Sequence, residues 1–296
     1  MGSDVYVSTA AFQADRLAPI LELAHQASLT CVELSSGVPW EPGLLETVRN
    51  ARGSFRYLVH NYFPPPAQPF VLNLAAAEPA VRAQSVAHCR QAIELCAELE
   101  ASFYSVHSGL ACMPAPEELG RPLTHRPRVS LDQAHELFVE SLGTLCRHAA
   151  RFGVELAIEN NVIAPFNLTE GKNQLGLCAR AKEVVKTIED VGAGNLKCLV
   201  DTGHVKVTAR TLGFDPGEFV RIVAPHVAAF HLSENDGEAD TNQPFDESAW
   251  FLPHLALAPE AVAVLEVSRV PISALHAMCE LVRSAQGSGS LRDKRP

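Results

Sequence analysis

The chain has 296 residues, 47% of them hydrophobic and 20% charged, which is enough apolar content for a sizeable core and close to the usual balance of soluble globular proteins. That composition excludes a collagen, a coiled coil and a disordered chain. The formal net charge of −10, with histidine neutral, counts against duplex nucleic acid as a partner, because phosphates favour a basic footprint, and it suits a small neutral or weakly charged substrate.

In chain order, DVYVST around Val5 reads as a strand, and DRLAPILELAHQA from Asp15 as a helix with apolar residues at three- and four-residue spacing. CVELSS from Cys31 and RYLVHN from Arg56 are the next two strands, followed by a Pro-rich loop over residues 64–69. A long helix, AVRAQSVAHCRQAIELCAELE from Ala80, leads to the strand SFYSVHSG from Ser102. Residues 113–127 read as another long loop, and a helix from Ser130 follows, with Ser130, Asp132 and Gln133 at its capped start. VELAIENN from Val154 is a strand, ARAKEVVKTIEDVG from Ala179 a helix, and LKCLVDTG, VAAFHLSE and AVAVLEVS are the last three strands. The small, polar tail at 287–296 is expected to be disordered.

Eight strands alternating with helices imply a parallel sheet, and eight is the number that closes a barrel. The expected fold is therefore an α/β, (β/α)8 TIM barrel forming a single domain over 1–286. A doubly wound open sheet would want a Gly-rich phosphate loop after the first strand, and STAAFQAD has none. The eight cysteines include no CxxC pair and mostly sit among apolar residues, as reduced thiols do. With no secretory signal and no apolar run of transmembrane length, a cytoplasmic location is expected.

Ionisable residues recur at the strand ends. Strand two carries Glu33; strands three and four end in His60 and His107. Strand five ends in Glu159, followed by Asn160 and Asn161. Strand six ends in Asp201 with His204 three residues on, strand seven in His231 and strand eight in Glu266. In a barrel these ends share one mouth. Carboxylates and imidazoles buried together repel and lose hydration, and a divalent cation (Zn, Mn, Mg or Co) relieves both costs. One strand-end histidine or acid is readily structural; the run across consecutive strands is not. Glu33 is the weakest member, with a supporting role favoured. His25, His88, His125, His135, His148, His226, His254 and His276 read as structural or surface residues.

VELSSG at Val32, LVHNYFPPP and VLNLA after Leu58, FYSVHSG at Phe103, LAIENN at Leu156, LVDTGHVK at Leu199, HLSENDGEADTNQP at His231 and VLEVS at Val264 follow in an order that resembles the xylose-isomerase-like TIM-barrel superfamily over about residues 3–283. That group includes sugar isomerases and epimerases and the endonuclease-IV-type branch. The resemblance implies a metal site of Glu159, Asp201, His231 and Glu266, with His60 and His107 offering a second metal and His204 facing substrate or a further metal. One or two ions per chain are expected. Many relatives carry D-x-H after the strand-seven histidine, whereas this chain has Asp240-Thr241-Asn242, and asparagine is a poor zinc ligand beside histidine.

The leading expectation is an isomerase or epimerase of a sugar or sugar-like polyol that moves a proton beside a carbonyl through an enediolate. By resemblance Glu159 and Glu266 form its acid/base pair. His204, Asn161, Lys206 and Asp240 are the candidate substrate contacts. A lyase that begins with the same proton abstraction belongs to this reading. The alternatives are a metal-dependent phosphoester hydrolase of the AP-endonuclease type and a non-catalytic sugar-binding barrel. A homodimer is a candidate assembly, since barrels of this type often pair.

Overall fold

Alternation decides which face of each strand is buried against helices and which points inward. In the computed structural model, which describes residues 4–115, 118 and 129–289, eight short strands use this alternation to close on themselves. They are β1 (Val5–Ser8), β2 (Cys31–Leu34), β3 (Arg56–His60), β4 (Phe103–His107), β5 (Glu155–Glu159), β6 (Leu196–Asp201), β7 (Val227–Leu232) and β8 (Val262–Leu265). Every neighbouring pair is parallel, and β8 pairs with β1 to complete the (β/α)8 barrel expected from the sequence.

Helices α1 (Leu17–Gln26), α2 (Leu44–Ala51), α3 (Pro79–Glu98), α4 (Leu131–Ala150), α5 (Ala181–Val191), α6 (Thr202–Leu212), α7 (Pro216–Val223) and α8 (Ile272–Gly289) lie between and after the strands. β7 and β8 are joined without an α-helix, through the 3-10 segment Leu252–Leu257. α4 begins where the sequence places it, with Ser130 Oγ accepting from the Gln133 N–H at 3.1 Å. α8 runs to Gly289, past the expected domain boundary at 286. The rest of the tail, most of the 113–127 loop and His125 lie outside the described residues.

The main core lies between barrel and helices. Tyr104, Phe103, Phe138, Phe219 and Phe230 are among its largest fully buried side chains. All eight cysteines are buried and no disulfide joins them. Among the described residues no helix is long and apolar enough to cross a membrane.

Two loops at the carboxyl ends of the strands are tied together. Asn73 Nδ2 donates to the Leu110 and Cys112 carbonyls, and its Oδ1 accepts from the Leu110 and Ala75 N–H groups. Gly109 permits this approach, because a Cβ there would stand 2.4 Å from Ala75 Cβ.

Candidate metal and proton-transfer site

Register brings the ionisable residues together. Adjacent partners in a parallel ladder point to the same face, and His107 pairs with Glu159, His60 with Ser105, and Asp201 with His231. Glu159, Asp201, His231 and Glu266 each offer one ligand atom, all within 4.8 Å of one another. His231 Nδ1 lies 2.8 Å from Glu266 Oε2, 3.9 Å from Glu159 Oε1 and 4.0 Å from Asp201 Oδ2.

The backbone beneath is pinned. Asn160 Oδ1 accepts from the Asp201 N–H at 2.9 Å and its Nδ2 donates to the Asp201 carbonyl at 3.3 Å, which continues the β5–β6 ladder past the strand ends. Ser108 Oγ donates to the Glu159 carbonyl at 2.6 Å. Asp201 divides its carboxylate: Oδ1 caps α6 by accepting from the His204 N–H at 2.7 Å, and Oδ2 is left for the site. Gly203 lets α6 start against the β7 loop, since a Cβ there would meet Ser233 Oγ at 2.7 Å and Asp240 Oδ1 at 3.1 Å.

A second group adjoins the first. His60 Nε2 and His107 Nε2 stand 3.4 and 3.3 Å from Glu159 Oε2 and 3.3 Å from each other. The other ring nitrogen of His60 is held by Ser105 Oγ at 2.9 Å. His204 Nδ1 faces the Asn160 carbonyl at 2.8 Å, and its Nε2 approaches Asp240 Oδ2 at 3.3 Å. His107 is 45% exposed and Glu266 15%, whereas Glu159, Asp201 and His231 are at most 1%, so the site opens to solvent past the first two.

The site fits a cation. Both Glu159 carboxylate oxygens and Asp201 Oδ2 are buried and have no hydrogen-bond partner, and His231 Nδ1 meets only the Glu266 carboxylate at 2.8 Å, an arrangement too costly to leave uncompensated. Without the cation, protons compensate. Burial pushes Asp201 up to about 7 and drives Glu159 well above the carboxylate range. Burial lowers His231, but Glu266 and Glu33 outweigh it and raise the imidazole well above its ordinary value. Burial likewise raises Glu266, yet His231 beside it holds that carboxyl below the ordinary range.

Two sequence expectations change here. Asn161 does not present its amide nitrogen to a substrate: Nδ2 donates to the Ser108, Gly109 and Leu177 carbonyls at 2.8–3.1 Å and fastens loops. Lys206 Nζ is paired with Glu234 Oε1 at 2.6 Å rather than left for an anion. Asn242 sits at φ 46° with Oδ1 accepting from Ser233 Oγ at 3.2 Å, so it supports the loop. Glu33 gains a role instead, since its Oε2 lies 3.0 Å from His231 Nε2. A glutamate inside the apolar run CVEL was the sequence signal, because such a residue is rarely buried unless paired.

The family described as Xylose isomerase-like TIM barrel matches residues 21–258. The chain belongs to that family. No curated protein matches it. Among solved structures, this xylose isomerase-like barrel is similar to a D-tagatose 3-epimerase-like protein (TM-score 0.73, 19% identity, 99% of each chain covered). It is also similar to an L-ribulose 3-epimerase (TM-score 0.68, 16% identity, 100% of each chain). A protein from Thermus thermophilus, soaked with ZnCl2, is 25% identical, with a TM-score of 0.62 over 95% of this chain and 98% of that one.

Proposed function

We propose that this xylose isomerase-like barrel is a divalent-metal-dependent isomerase or epimerase of a sugar or sugar-like polyol, with Glu159 and Glu266 as its acid/base pair. The observation that carries the reading is the convergence of Glu159, Asp201, His231 and Glu266, with both Glu159 oxygens and Asp201 Oδ2 buried and unpartnered. The likeness to a D-tagatose 3-epimerase-like protein and an L-ribulose 3-epimerase supports the substrate class. A bound divalent ion would act as a Lewis acid toward the oxygens beside the reacting carbon.

The protein's own groups then divide the proton transfer. Glu266 removes the proton next to the carbonyl and Glu159 returns one, both carboxylates lying at the same ligand cluster. His204 and Asp240 face the same space and orient substrate oxygens. The enediolate lies between these steps.

A specific observation also favours a second reading. His60, His107 and Glu159 form another three-ligand group, as a two-metal phosphoester hydrolase would need. Metal analysis and solvent-deuterium uptake separate the possibilities. Purified protein is expected to hold at least one tight divalent ion per chain and to exchange a C–H proton in one member of a ketose, aldose and cyclitol panel. Protein that holds no metal and gains none from solution sinks both readings. Metal-dependent nicking of an abasic-site duplex, without exchange on any sugar, replaces the first with the second.

A further inference from the structure

We infer that Glu33 is a positioning residue for the metal site: it fixes which nitrogen of His231 carries the proton, and so which one can bind a cation. This rests on the metal reading above and adds a residue to it.

An imidazole can turn either nitrogen toward a metal, and the partner of the other nitrogen decides which. His231 has no solvent exposure, and neither does Glu33. Oε2 of Glu33 stands 3.0 Å from His231 Nε2. Burial pushes the Glu33 carboxyl up while the His231 imidazole draws it down; in its ionised form it only accepts, and the contact then places the proton on Nε2. Nδ1, which faces Glu266, Asp201 and Glu159, is then the nitrogen that gives up its proton to offer a lone pair when a cation binds.

The pairing crosses the barrel wall. Glu33 comes from β2 and His231 from β7, 198 residues later, so no local turn sets the geometry. Ser8 is the register partner of Glu33 and adds no charge of its own. The negative charge behind Nε2–H also makes Nδ1 a stronger donor to a cation.

A competing use of the same atoms exists. Glu33, His60 and His231 also offer three ligand atoms within 4.8 Å. A cation there would need His231 Nε2 without its proton, and His60 already has Nδ1 on Ser105 and Nε2 beside His107. The proton assignment therefore separates the two uses.

The test compares wild-type protein with Glu33→Gln and Glu33→Ala. Zinc affinity is measured by chelator competition, the Co2+-loaded visible spectrum is recorded, and imidazole 15N shifts are read on the zinc-loaded protein. Wild type is expected to show His231 protonated at Nε2 and metal-bound through Nδ1. Both variants are expected to keep the wild-type far-UV circular dichroism and to lose about 10- to 100-fold in zinc affinity, Ala more than Gln, with a changed cobalt spectrum. Should the Ala variant fail to fold, Gln alone decides, since it keeps the shape and removes the charge. Undiminished zinc affinity in the Gln variant overturns the inference and leaves the metal reading standing. A wild-type spectrum with Nε2 unprotonated overturns it in favour of the Glu33–His60–His231 use. A wild-type protein that binds no zinc overturns the metal reading itself.

Discussion

At the scale of single residues, the 2.8 Å contact between Glu266 and His231 keeps one carboxylate ionised in a site where burial favours protonation. Glu159 lacks so close a cation, and its carboxyl is driven the other way. Glu266→Gln keeps the shape and removes the proposed base. Far-UV circular dichroism should not change, and solvent-deuterium uptake by substrate should fall about 100- to 10,000-fold, the usual contribution of a positioned acid or base. Uptake at the wild-type rate would remove Glu266 from that role. The four principal residues were legible because each closes an apolar run. Asn161 and Lys206 were misread because their partners, three loop carbonyls and Glu234, come from segments that sequence spacing does not bring together. The weight of Glu33 was hidden for the same reason, its partner lying on the far side of the barrel.

At the scale of elements, all eight strands were legible, as were α1, α3, α4 and α5, since these have either a clear apolar run or several turns of helical period. α2 and α7 span only eight residues each, too few for a period to stand out. α6 starts on the residue after β6 ends, so the sequence has no loop to mark the change. That abrupt join makes Asp201 both the last strand residue and the helix cap, and aims its second oxygen into the site. Loop packing was the least legible, because it depends on close approaches such as that of Gly109 to Ala75. Gly109→Ala would put a methyl 2.4 Å from Ala75 Cβ and 3.2 Å from its backbone nitrogen, and must push the β3 and β4 loops apart. The expected cost is about 1–3 kcal/mol, with a weakened zinc affinity because His107 lies two residues away. Gly53→Ala is the control: a Cβ there meets nothing within 4 Å. Thermal melts of the two variants should differ by several degrees, and equal melting temperatures would contradict the close packing of these loops.

At the scale of the whole molecule, the proposed metal reading makes the stability of the barrel depend on both cation and pH. In the metal-free protein, Asp201 titrates near 7 against an ordinary value of 3.8, so the folded chain holds a proton that the unfolded chain has lost between those limits. Stability falls with rising pH wherever the folded state binds more protons, so the Asp201 contribution is lost as pH climbs toward 7. His204 and His231 are also raised when folded; what they contribute is fully present below about 6.5, the ordinary imidazole value, and is lost as pH rises through their folded values. Glu266 is lowered and already ionised throughout the window from pH 6 to 8, so it does not offset the trend there. A cation must displace these same protons, and its affinity rises as they leave. His60 and His107, lowered by burial when folded, work the other way up to about 6.5, the ordinary imidazole value, so the metal-free melting temperature should decline from pH 7 to pH 8 while the gain on adding zinc grows. At about 100 times the dissociation constant, binding contributes about 2.7 kcal/mol, which at about 2–4 °C per kcal/mol is a shift of about 5–11 °C. Scanning calorimetry with and without metal at pH 6, 7 and 8 reads both trends. A zinc-induced shift that stays constant or shrinks with pH would mean that the cation binds away from Glu159, Asp201, His231 and Glu266, because only ligands that hold protons in the metal-free state impose this dependence.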